Sequence, residues 1–226
     1  MMMMTIRKLI VPLLFLTLAP VSFSQDDDFG IWYGISAEHK LIKNLEIDLS
    51  GNIRTFQNAS RIDQAFIEAG LTYKFIKNIS IGGSYRFTRA LDKDDFYHAQ
   101  HKWFIDLKGI LPLGDFSISA RVRLQERYKT YFLDENDKIP RTHLRYKIKV
   151  LYNIPSFPVN PYLSAEIFCP VSSDKKRSID KNRFMAGVEY NITKKHSIDA
   201  EYMFQRDYLP HIADINVITI GYNLKF

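Results

Sequence analysis

Hydrophobic and polar residues alternate with a period of two through nearly all of the chain beyond its first two dozen positions. Residues 45–54 set Leu45, Ile47, Leu49, Gly51 and Ile53 on one face against Glu46, Asp48, Ser50, Asn52 and Arg54 on the other. Residues 79–88 and 116–129 repeat the pattern, and 141–152 is as clean: Leu144, Tyr146, Ile148, Val150 and Tyr152 oppose Arg141, His143, Arg145, Lys147 and Lys149. Looser alternation covers 29–39, 64–75, 97–110, 162–169, 181–190, 197–205 and 215–226. Period two marks strands with one apolar and one polar side, so the pattern predicts eleven strands and no amphipathic helix. Short turns at 41–44, 75–78, 111–115 and 191–196 alternate with longer polar loops near 55–63, 90–96, 132–140, 171–180 and 206–214. That connectivity predicts an antiparallel up-and-down meander.

The first residues follow another rule. Arg7 and Lys8 precede an apolar run, LIVPLLFLTLAPV at 9–21, which ends in the small residues Ser22 and Ser24 around Phe23. A basic start, a short apolar middle and small residues before the cut make a signal peptide. Cleavage is expected after Ser24, leaving 25–226 as one domain. An N-terminal membrane anchor is the alternative, but the run is shorter than the ~20 residues a spanning helix needs. No cysteine follows to carry a lipid. Arg7 and Lys8 leave with the peptide and no acid does, so a formal charge of +6 becomes +4.

Composition narrows the classes. The chain of 226 residues is 46% hydrophobic, 25% charged and 14% aromatic, too rich in aromatic residues for a disordered chain. The single cysteine, Cys169, excludes an internal disulfide and a multi-cysteine metal site. The positive charge invites nucleic acid as a partner. The basic residues, however, sit on the polar faces of strands and form no exposed patch with interleaved aromatics, so no nucleic-acid partner is expected.

Which face points outward decides the function. A soluble barrel lines a ligand cavity with its apolar face, whereas a transmembrane barrel turns that face to lipid and encloses a polar lumen. Segment lengths near the ~9–11 residues that cross a bilayer favour the second. So do Tyr73, Phe75, Tyr85, Phe87, Tyr146, Tyr152, Tyr202 and Phe204, aromatic residues near segment ends on the apolar side, where interfacial girdles sit. The sequence predicts an all-β, antiparallel up-and-down transmembrane β-barrel of 10–12 strands, with short periplasmic turns, longer extracellular loops and outer-membrane lipid as its surroundings. Eleven strands would put the termini on opposite sides, while bacterial barrels usually have even counts. Either a strand is missed or 29–39 lies inside as a plug.

The closing GYNLKF, with terminal Phe226, resembles the C-terminal signal by which the assembly machinery of bacterial outer-membrane barrels engages a final strand. An ordinary final strand is the plainer alternative. In chain order stand Trp32, Arg54, LTYKF at 71–75, SIGGSYRF at 80–87, RVRLQERY at 121–128, RTHLRYKIKV at 141–150, NRFMAGVEYNI at 182–192, EYMFQ at 201–205 and that ending. Their order and spacing resemble a bacterial family of uncharacterised exported β-barrels, domain-of-unknown-function family 2490, frequent in Bacteroidetes. The resemblance covers nearly all of 25–226 and implies a Gram-negative outer-membrane barrel with no established activity.

Candidate chemistry concentrates on two adjacent strands. Arg121, Arg123, Arg127 and Lys129 would stand beside Arg141, Arg145, Lys147 and Lys149 as one basic wall of the lumen. Acids dominate elsewhere: Glu46, Asp48, Glu68, Glu166, Glu189, Asp199 and Glu201. Opposed walls would bias a narrow pore toward small anions. Alternatively the same side chains fill the lumen as a salt-bridge network, as small barrels commonly do. The expected role is therefore structural, or that of a narrow small-solute channel, without catalysis or cofactor. A lipid-modifying enzyme, hydrolysing phospholipid or lipid A, is the alternative, with His101 and Trp103 on the apolar side of their strand. No Gly-x-Ser-x-Gly occurs, and an interfacial girdle accounts for His101 as well. The other histidines (His39, His98, His143, His196, His211) lack metal-site spacing. Asp92, Asp94 and Asp95, and likewise Asp134, Glu135 and Asp137, are read as solvated loop charge before calcium or lipopolysaccharide bridging.

Overall fold

The computed structural model describes residues 28–133, 135–171, 179–208 and 212–226. The expected signal peptide, His211 and Asp134 lie outside them. Eleven strands run in chain order: β1 (Asp28–Ile42), β2 (Leu45–Phe56), β3 (Arg61–Ile76), β4 (Ile79–Leu91), β5 (Tyr97–Leu113), β6 (Phe116–Lys129), β7 (Arg141–Tyr152), β8 (Val159–Pro170), β9 (Lys181–Asn191), β10 (His196–Asp207) and β11 (Ala213–Lys225). Each pairs antiparallel with its sequence neighbour, and β1 closes on β11, making one barrel without an edge. Closure matters physically, because every backbone group then has a partner even where no water reaches.

The parity problem resolves in a way neither expected alternative covers. Segment 29–39 is neither a plug nor next to a missing strand; it belongs to β1, a wall strand. In an odd-numbered meander the first and last strands run in the same direction, so the seam must be parallel. The register runs from Asp28 opposite Ile215 to Glu38 opposite Lys225. The described chain therefore enters at the long-loop end and leaves at the short-turn end.

Strands extend beyond the apolar alternation because pairing continues through polar residues and bulges. Register shifts fall between Lys40 and Ile42, Arg54 and Thr55, and Lys74 and Ile76. One expected long loop is a tight turn: Gln57, Asn58 and Ala59 all take left-handed backbone, at φ 51°, 56° and 60°, which reverses the chain between β2 and β3. Gly114, at φ +59°, makes the β5–β6 turn.

Apolar side chains on the outer surface stay exposed, as Ile35 (60%), Ile67 (62%) and Leu163 (66%) show. A water-soluble monomer does not carry a continuous band of this kind. The buried apolar residues lie inside instead. Met185, Met203 and Val217 form a small core, with Trp32 and Ile215 packed against it.

Candidate functional site: a divided lumen

Inward positions at mid-height carry arginine and aromatic residues on successive strands. Arg54 (β2) stacks 3.8 Å over the Trp32 ring (β1) and 4.9 Å over Phe66 (β3). Arg86 (β4) lies 3.8 Å over Phe66 and 5.0 Å over Phe104 (β5), and Arg123 (β6) lies 4.4 Å over Phe104. Beyond it, Arg145 (β7) and Arg183 (β9) lie 4.3 and 4.8 Å over Phe168 (β8). Arg183 also reaches back to 5.4 Å over Trp32, so the belt returns to its start. Guanidinium planes suit this because they stack on rings while their edges still donate hydrogen bonds.

Those edges meet three acids. Glu68 accepts from Arg86 Nε at 2.6 Å, and Asp106 accepts from Arg123 Nε and Nη2 at 2.6 Å each. Glu166, almost wholly buried, accepts from Arg145 Nη2 at 2.9 Å and Arg121 Nη2 at 2.7 Å. Phe104 and Met203, at 2% exposure, and Val217, at 0%, are buried in the same layer.

Below the belt, toward the short-turn end, lies a cavity of ≈ 480 Å³. Glu38, Glu46 and Asp48 on β1 and β2 line one side; Lys108, Arg121, Lys147 and Lys149 on β5, β6 and β7 line the other. An acidic and a basic side thus face each other across the cavity, with Lys74 and Lys225 among the acids. Lys74 bridges to Glu46. Of the remaining acids, Asp199 and Glu201 both accept from Tyr162 Oη, at 2.9 and 3.1 Å. Tyr162 fits because Gly187 faces it across β8–β9; a Cβ there would stand 2.6 Å from the Tyr162 ring.

The eight predicted wall residues all face the lumen but do not act as one surface. Arg121, Lys147 and Lys149 line the cavity. Arg123 and Arg145 belong to the belt and are neutralised by acids. Arg127 and Arg141 are opposite one another on the outer side of the belt. Lys129 is held between Asp92 at 2.7 Å and Asp137 at 2.9 Å. Sequence reasoning missed Trp32, Phe66, Phe104 and Phe168 as lumen residues, and Arg54, Arg86 and Arg183 as their partners. One signal was present: counting back from the β5–β6 turn places Asp106 opposite Arg123.

The loop acids have side-chain partners of their own. Asp94 accepts from His98 Nε2 at 2.7 Å, and Asp95 pairs with Arg61. Among the described residues no three His, Cys, Asp or Glu side chains converge as a metal site would require. His101 points outward, its Nδ1 2.5 Å from Tyr85 Oη, with Phe87 against its ring and Trp103 against that of Tyr85. A second such pair, His196 Nδ1 and Tyr222 Oη at 2.5 Å, sits at the short-turn end. Cys169 also faces outward, half-buried, on β8.

Comparison with known proteins agrees with this architecture. The family model described as "Protein of unknown function (DUF2490)" matches residues 29–216. No protein of curated function matches the chain. Among solved structures, the beta domain of the Bordetella autotransporter Brka is similar at 12% identity and a TM-score of 0.52, covering 77% of this chain and 81% of that one. The NanC porin is similar at 12% identity and a TM-score of 0.51, covering 78% and 86%. At such identities the likeness is one of fold.

Proposed function

The chain belongs to the DUF2490 family, and from that premise we propose that it serves as a non-catalytic barrel of the bacterial outer membrane whose lumen is closed at mid-height. The burial of the arginine–aromatic belt carries this reading, because residues lining an open pore would be wetted along its length. Small polar solutes enter the charged cavity from the short-turn, periplasmic side and stop at the belt. The exposed apolar band supports a lipid environment, and the signal-like N-terminus supports export. Phe226, at the short-turn end, is where the barrel-assembly machinery would engage the last strand. An enzymatic role gains no support from His101, whose ring nitrogen is engaged by a tyrosine.

The division of the lumen also moves the expected anion filter. Arg123 and Arg145 are packed and paired, so any selectivity of the entrance rests on Lys147 and Lys149. Planar-bilayer recording of the purified barrel tests the proposal. The unaltered chain should hold a closed baseline, and Phe104→Ala or Trp32→Ala should produce discrete conductance steps. A large steady conductance in the unaltered chain would overturn it.

A further inference from the structure

Among the described residues, the outer half of the lumen carries cations without an acid in ion-pairing distance. Four cations occupy one cross-strand row: Arg86 is opposite Lys102, Lys102 opposite Arg127, and Arg127 opposite Arg141. Like charges directly opposite repel, and Lys102 and Arg127, partly removed from water, are the costlier to leave unpaired. The charges that act most strongly on Lys102 are those of Arg86, Arg127 and Arg54, ahead of the nearest acid, Asp63, and Arg127 in turn feels Arg141 before Asp137 and Asp92. Elsewhere the barrel supplies the balance: where Arg123 stands opposite Arg145, Asp106 and Glu166 accompany them. Here Glu68 answers Arg86 alone.

Among the described residues, Arg54, Lys102 and Arg127 have no carboxylate within ion-pairing distance. The nearby acids are engaged otherwise. Asp92 and Asp137 hold Lys129, and Asp63 accepts from Gln64 Nε2 at 2.6 Å. A neutral donor also stands without a partner. Thr88, the next inward residue after Arg86 on β4, is 0% exposed, and its hydroxyl makes no hydrogen bond. A buried hydroxyl left so is costly unless a ligand completes it.

We infer that Arg54, Lys102 and Arg127, with the Thr88 hydroxyl, form a binding site for a small, multiply charged oxyanion entering from the long-loop end. Guanidinium and ammonium groups offered to one half of the lumen from β2, β5 and β6, with a hydroxyl donor on β4, suit a compact group with several oxygens sharing two negative charges. The inference rests on the barrel reading but not on the closed belt.

Calorimetric titration of the full chain in detergent with inorganic phosphate, and with sulfate, against chloride at equal ionic strength tests it. Saturable binding of the divalent anions is expected. Lys102→Gln and Arg127→Gln should each weaken it about tenfold or more, while Lys102→Arg stays within about threefold. The double variant Lys147→Gln/Lys149→Gln, in the other compartment, should bind as the unaltered chain does. Phosphate should raise the Tm of the unaltered chain and not that of Lys102→Gln. If Lys102→Gln does not fold, Arg127→Gln carries the same comparison. Absence of saturable binding, binding that survives both outer variants, or binding lost in the Lys147/Lys149 variant would overturn the site. Titration in detergent is independent of conductance. A conducting barrel that binds phosphate refutes only the closed lumen, and a closed barrel that does not bind refutes only the site.

Discussion

Arg145 on β7 and Glu166 on β8 meet in the middle of the lumen, with Arg145 Nη2 donating to both carboxylate oxygens at 2.9 Å. Arg121 donates to the same carboxylate at 2.7 Å, and Arg183 lies 3.8 Å from it. One acid thus balances three arginines from three strands. Glu166→Gln keeps the shape and removes the charge, leaving those guanidinium groups facing one another. Breaking a buried pair from one side costs about 3–5 kcal/mol. Denaturant unfolding in detergent should show a loss of that order, and Glu189→Gln, outside the belt, a loss several times smaller.

The long-loop rim is expected to respond only to strong acid. Burial alone would lift the Asp92 carboxyl, but the hydrogen bond from Lys129 and that from the Lys93 N–H hold it below the usual carboxylate range. Asp137 shows the same balance, with Lys129 and the Leu133 N–H as donors. Both folded values lie below the ~3.9 of an unfolded aspartate. Their contribution is therefore complete above about pH 4 and is lost as the pH falls through the folded values. Pepsin, active throughout this range, should leave 130–140 uncut near pH 4.5 and nick it near pH 2. Asp137→Asn should be nicked already at the higher pH.

What the sequence made legible follows from what period two encodes. Alternation assigns each residue to one face or the other, and so puts Arg123, Arg145, Lys147 and Lys149 on one face with Arg121. It does not encode height or register. Trp32, Phe66, Phe104 and Phe168 are apolar residues standing in the polar phase of their strands. In the chain each looks like a single exception, because its arginine partner lies on the next strand, tens of residues away or across a turn. The belt exists only once the strands are aligned. The closing seam was illegible for a related reason: β1 and β11 are joined by no turn, so nothing local specifies that they pair in parallel.

The outward histidines should behave as parts of the surface. His101 bonds Tyr85 and contacts Phe87, and its counterpart His196 bonds Tyr222 at the opposite end. Aromatic pairs of this kind contribute about 0.5–1.5 kcal/mol beyond their buried area. His101→Ala should lower stability by that amount, read from denaturant midpoints in detergent. Phospholipid and lipid A turnover should be absent from the unaltered chain and the variant alike. Turnover that disappears with His101 would make this an enzyme.

Closure through a parallel seam makes a geometric prediction. Ser36 on β1 lies opposite Asn223 on β11, its Oγ donating to Asn223 Oδ1 at 2.6 Å. Neighbouring strands run ~4.8 Å apart, within the Cα separation a disulfide spans. In a Cys169→Ser background, Ser36→Cys with Asn223→Cys should therefore cross-link under mild oxidation and run as a reducible, faster-migrating species. Pairing Ser36→Cys with Gly221→Cys, displaced two residues along β11 and so about 8 Å away, should leave both thiols free. A twelve-strand barrel with a further strand between β1 and β11 would separate Ser36 from Asn223 by two strand spacings and give neither cross-link. A shifted seam would reverse the two results.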